Sequence, residues 1–174
     1  HDPAGEKAPV ILMPKDHLAR IRKFYQRMKD GEYFDEEANW QAIEKEDHYY
    51  WRQDQEEDEA DDNNEALALE ALEMLEDSKQ FFRQGDRETA YEAYCILFDV
   101  FENPEYYQSE AECFIYGFSF RDAIEKEIYK EHKAVYLRCV YEKQVEQSDF
   151  KSLCEVLAKN REDVLLSDIL EIDR

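Results

Sequence analysis

The sequence predicts an all-α protein, built of antiparallel helical hairpins in a stack or an irregular bundle, and three observations carry that prediction. Gly and Pro together fill only 8 of 174 positions, too few for a sheet protein, which needs turn residues every ten or so. Thr89 is the sole threonine, whereas Glu, Ala, Leu, Lys and Gln, which keep their rotamer freedom in a helix, are abundant. Apolar residues recur three and four apart along most of the chain, the period of a helix face. The chain is very polar, with a mean hydropathy of −0.85, and its core rests on 10 Phe, 12 Tyr and 2 Trp, each able to remove about 150–250 Å² from water.

Residues 1–14 hold three of the four prolines and end in Val10-Ile11-Leu12-Met13-Pro14, which predicts an extended arm with an apolar tip. Pro14 is suited to the first turn of a helix. That helix runs from Lys15 to Lys29, with Leu18, Ile21, Arg22, Tyr25 and Met28 at helical spacing and Gly31 closing it. A second helix starts at Asp35 as cap and passes through Trp40 and Ile43 to Trp51, completing an N-terminal pair over 15–53. From 54 to 64 no residue larger than Ala is apolar, which predicts a solvated acidic linker or a frayed helix end. The periodicity resumes at Glu65 and stops at Gly85. Asp86 caps the next helix, which ends at Asn103-Pro104. An aromatic helix over Glu105–Tyr116, a long one over Ser119–Gln147 and two short ones near Phe150–Lys159 and Glu162–Ile172 complete a hairpin domain over 65–174.

Charge narrows the functional classes. Lys plus Arg number 22 against 44 Asp plus Glu, a net charge of −22, and such a surface repels phosphate, so direct nucleic-acid binding is not expected. No apolar run is long enough to cross a bilayer. The basic residues concentrate in the first helix (Lys15, Arg20, Arg22, Lys23, Arg27, Lys29), while the stretch Asp54–Asp77 carries twelve acids and no base. These two stretches are complementary within one chain or across a homodimer. Cys95, Cys113, Cys139 and Cys154 show no metal-binding spacing and sit in helical apolar patterns, which reads as reduced core thiols in a cytoplasmic protein.

The segment Glu65–Pro104 resembles a tetratricopeptide-type helical hairpin. Phe81, Gly85, Ala90 and Tyr94 stand at that family's intervals of four, five and four, with Pro104 beyond. The expected Leu-Gly pair in the first helix reads Asp77-Ser78 here. The resemblance implies two helices packed closely at Ala90, a turn at Gly85, and a surface that binds peptides or helices. The run Ser119–Leu157 is similar, more distantly, to the helical region that follows SWIM-type zinc fingers, without the zinc motif itself.

No reaction emerges from the residues. The Glu44/His48 pair with Asp47, and the neighbours Asp16-His17 and Glu131-His132, lack three convergent zinc ligands. Asp54, Glu56, Asp58 and Glu65 have spacings that resemble a calcium loop, but Glu59 holds the position that demands Gly. No Gly-rich phosphate loop exists, so no metal, cofactor or catalytic residue is expected. The reading is a non-enzymatic interaction module that binds a basic or amphipathic protein segment. Its aromatics Tyr91, Tyr106, Tyr107 and Tyr116 supply contact, and its acidic surface Asp54, Glu56, Glu57, Asp58, Glu59, Asp61 and Asp62 steers the partner. The alternative is an acidic inhibitor that imitates nucleic acid on a nucleic-acid-binding protein.

Overall fold

A computed structural model describes residues 12–30, 53–103 and 119–172, with side chains of the middle segment from residue 65 onward. Among the described residues there are seven helices and no strand, so the all-α class holds. They are α1 (Pro14–Lys29), α2 (Gln53–Arg83), α3 (Arg87–Glu102), α4 (Phe120–Ala123), α5 (Lys126–Glu146), α6 (Phe150–Lys159) and α7 (Leu166–Leu170). The arm expected over 1–11, the helix expected from Asp35 to Trp51 and the aromatic helix expected over 105–116 lie outside the described residues.

Pro14 opens α1, where its missing N–H costs nothing. The buried stripe is His17, Ile21, Phe24 and Met28, rotated from the one the sequence suggests. Leu18 and Tyr25 lie only partly buried at its edge, and Arg22 is exposed. This stripe packs on both α2 and α3 and joins their core, so α1 belongs to the main body rather than to a separate N-terminal unit. The run over 54–64, expected as a linker or a frayed helix end, is helical and forms the first three turns of α2. A segment without apolar residues cannot bury a face, yet it extends an established helix cheaply, since propagation adds one hydrogen bond for each residue fixed.

The turn between α2 and α3 follows from Gly85, whose φ of +89° is open to glycine at no steric cost. Its N–H donates to Phe82 O at 3.2 Å, and that of Asp86 donates to Phe81 O at 2.9 Å, which satisfies the last carbonyls of α2. The Asp86 carboxylate then accepts from Thr89 N and starts α3. Ala90 is fully buried in this hairpin, alongside Ala93 and Tyr94. The turn between α5 and α6 repeats the motif with Ser148 at φ 57° and Asp149 N donating to Gln144 O at 2.9 Å. Serine rather than glycine takes the left-handed position there, at a cost of roughly 1–2 kcal/mol.

The helix expected over Ser119–Gln147 is broken at Ile124, which is extended, and Glu125, which caps the next helix. Phe120 on the four-residue α4 buries against Phe24 and Phe101, with ring centroids 5.9 Å and 4.8 Å away, while Ile124 also enters the core. Phe98 is the hub of the aromatic core, edge-on to Phe101 and Tyr129 and stacked on Tyr136 at 5.0 Å. A smaller cluster of Leu137, Val164 and Ile169 sits where α6, the following turn and α7 fold back on α5.

Candidate functional site

Three features of the described residues combine polar chemistry with fixed geometry: a groove, a buried hydrogen-bonded chain and a buried ion cluster. The groove has a volume of about 870 Å³. Arg22 and Tyr25 of α1 form one wall. Cys95, Ile96, Phe98, Asp99, Glu102 and Asn103 of α3 form the floor, and Tyr136 of α5 with Val156, Lys159 and Asn160 of α6 form the far wall. It exists because α3 is apolar on more faces than one core needs, with Ala93 to Phe98 a continuous run. Leu97 and Phe98 satisfy the core, leaving Cys95 and Ile96 to line the groove, partly buried. Its charges are balanced, since Arg22 and Lys159 stand against Asp99 and Glu102. Arg22 is engaged with Glu92 and Glu102 with Lys133.

The buried chain runs Glu76–His132–Tyr94–Leu75. His132 Nε2 lies 2.9 Å from the Glu76 carboxylate, His132 Nδ1 lies 3.0 Å from the Tyr94 hydroxyl, and that hydroxyl donates to Leu75 O at 3.3 Å. Burial lowers the His132 pKa more than the Glu76 hydrogen bond raises it. An acid, a histidine and a hydroxyl in line resemble a nucleophile with its base. However, Tyr94 is fully buried and its phenol is held well above the ordinary value by burial. No substrate atom reaches that end, and neither residue lines the groove. The chain fastens α5 to α2 and α3.

In the ion cluster, Lys133 is 2 % exposed and donates to Glu102 and, at 2.8 Å, to Asp163. Tyr129 donates to the same Glu102 oxygen at 3.1 Å, and Arg121 pairs with Asp163. Burial pushes the Asp163 carboxyl up, but Lys133 and Arg121 outweigh it and hold the group below its usual value. This network joins the end of α3, α4, α5 and the turn before α7.

The expected site residues fare differently. Phe81, Gly85, Ala90 and Tyr94 come together in the α2–α3 hairpin. Tyr91 is not the free contact expected of it: it is partly buried against the core, with the Lys143 amine 5.7 Å from its ring centre. Tyr106, Tyr107 and Tyr116 lie outside the described residues. Asp54, Glu56, Glu57, Asp58, Glu59, Asp61 and Asp62 fall on α2, in the part whose side chains are not described. The attraction between the basic helix and the acidic stretch is met partly within the chain, by Arg20 with Glu73 at 3.1 Å and Asp77 at 3.6 Å. Tyr136 and Val156 of the groove wall were not singled out by spacing. The signal for them was a helix carrying apolar residues around most of its circumference.

Cys95, Cys139 and Cys154 are free thiols. Burial pushes Cys139 up to about 12 and raises Cys95, so neither is a thiolate at neutral pH. Among the described residues, no group of three or more His, Cys, Asp or Glu could hold a metal ion, and no helix is long and apolar enough to cross a membrane. No family model, curated protein or solved structure matches the chain.

Proposed function

We propose that this protein is a non-enzymatic helical interaction module whose groove between α1, α3 and α6 takes an amphipathic segment with a basic face from another protein. The composition of the groove carries the reading. An apolar strip of Ile96, Phe98, Tyr136 and Val156 runs beside the carboxylates of Asp99 and Glu102. A partner helix would lay its apolar anchors on the strip and its cations on the carboxylate side, while the field of a chain at −22 speeds encounter. The tetratricopeptide-like spacing at 65–104 agrees with this use of a helical stack, and free thiols agree with a cytoplasmic setting.

Fluorescence anisotropy with a synthetic basic amphipathic peptide tests the proposal. Association should slow as salt rises, and Ile96→Glu should weaken binding about tenfold or more. The distant, 59 % exposed Leu69 changed to Glu should leave it unaltered. Binding that survives Ile96→Glu, or equal binding of an acidic amphipathic peptide, overturns it.

A second reading, the acidic imitator of nucleic acid, draws support from one observation: the residues 54–62 lie on a helix continuous with the core-anchored part of α2, so their backbone spacing is fixed. Displacement of duplex DNA from a DNA-binding protein by this chain would favour it over the groove.

A further inference from the structure

We infer that α1 is a pH-released element, held to the α2–α3 pair by an uncharged His17 and expelled when Nδ1 of that ring takes a proton. The proton positions follow from the hydrogen bonds. Ser78 Oγ donates its single proton to Met74 O at 2.8 Å, one turn back. In its 2.9 Å contact with His17 Nε2, Ser78 must therefore accept, so Nε2 carries the hydrogen. Nδ1 is left as a bare lone pair, and it is buried with no partner. The ring is fully buried and tilted over Phe81, with centroids 5.2 Å apart. A second proton would place a charged donor where neither an acceptor nor water receives it.

His132 is the internal contrast. Its two ring nitrogens face Glu76 and the Tyr94 hydroxyl, and that hydroxyl already donates to Leu75 O. His132 can therefore be doubly protonated where it stands, with every hydrogen placed. His17 cannot.

The charged groups around His17 set the direction. Arg20, one turn further along α1, opposes a positive ring, and burial opposes it more strongly, so the folded pKa falls to about 4 from the ordinary 6.5. From α2, Glu73 and Asp77 face Arg20 rather than the ring. From α3, Glu92 is engaged by Arg22. Burial raises the Asp77 carboxyl, so its protonation relieves a penalty and acts in the opposite sense. A histidine with a depressed folded pKa leaves stability intact above 6.5 and removes it as the pH falls toward the folded value. Docking of α1 therefore weakens by up to about tenfold per pH unit, and by about 300-fold over the whole window. Release bares Ile21, Phe24 and Met28 and removes the wall formed by Arg22 and Tyr25. The device stands whatever the groove binds.

Hydrogen exchange of the full chain, followed by mass spectrometry from about pH 7 to about pH 5 with intrinsic rates corrected, tests it. Peptides covering 14–29 should open about tenfold more per unit of acid while those of α6 do not, and His17→Gln should flatten the response. Simultaneous opening of α1 and α6, or an unchanged acid response in His17→Gln, overturns the inference. Should that variant not fold, ring-nitrogen NMR of the unmodified protein decides. An Nε2–H tautomer that stays neutral below about pH 5 supports release, and a docked ring titrating near 6.5 refutes it.

Discussion

The body around Phe98 and the smaller cluster around Leu137 are held by different forces, although α5 belongs to both. The first buries a continuous set of aromatic and aliphatic side chains from α1 to α5. The second has only Leu137, Val164 and Ile169 fully enclosed, while Phe150, Leu165, Leu166 and Leu170 remain exposed around it. So little apolar burial does not hold two short helices in place. The Lys133 ions do much of that work, together with Arg138, which donates to Ile169 O at 3.3 Å. One region is fixed by packing and the other by paired charge, and they should fail under different insults.

Lys133→Met gives the largest expected effect. It leaves Glu102 without its cation and Asp163 with only the half-exposed Arg121, which costs about 3–5 kcal/mol. Exchange or proteolysis should show α6 and α7 loosening before the rest, and uniform loosening would erase the distinction between the regions. Phe98→Ala should cost about 3–5 kcal/mol as well, but as a loss of global stability in urea that salt does not alter. Tyr94→Phe strands a ring nitrogen of His132 and should cost about 1–3 kcal/mol, read as a lower Tm with α5 disturbed more than α7.

Acid should separate the regions in order. His17 acts between 6.5 and about 4. Asp163, held below its ordinary carboxylate value, preserves its contribution until the pH falls lower still. Exchange at stepped pH should therefore show α1 opening first and the α6–α7 segment later, and the reverse order would contradict the assignment of forces. Arg20→Gln gives the smallest effect, under about 1 kcal/mol and diminished by salt, because its pairs with Glu73 and Asp77 are largely solvated.

Helix identity was legible because it rests on local signals. Gly85, Asp86 and Pro14 mark boundaries by backbone chemistry that acts wherever such residues occur. The misplaced features depend on distant partners. Nothing in Ile124-Glu125 announces a break, and nothing near Phe120 announces that it meets Phe24, almost a hundred residues earlier. Ser148 carries no sign of its left-handed backbone, since serine adopts it only when the hairpin demands it. His17 beside Asp16 invited thoughts of metal, whereas its role comes from Ser78 on another helix. The groove was hidden for the same reason, because α1, α3 and α6 meet there from three parts of the chain.

The proportions of α2 have a mechanical consequence. At 1.5 Å per residue its 31 residues span about 46 Å, whereas the 16 of α3 span about 24 Å. Only part of the longer rod can lie alongside its hairpin neighbour, and that part also touches α1, α4 and α5. A pull on its acidic end is thus delivered as torque to four helices together, which makes α2 the lever of the molecule.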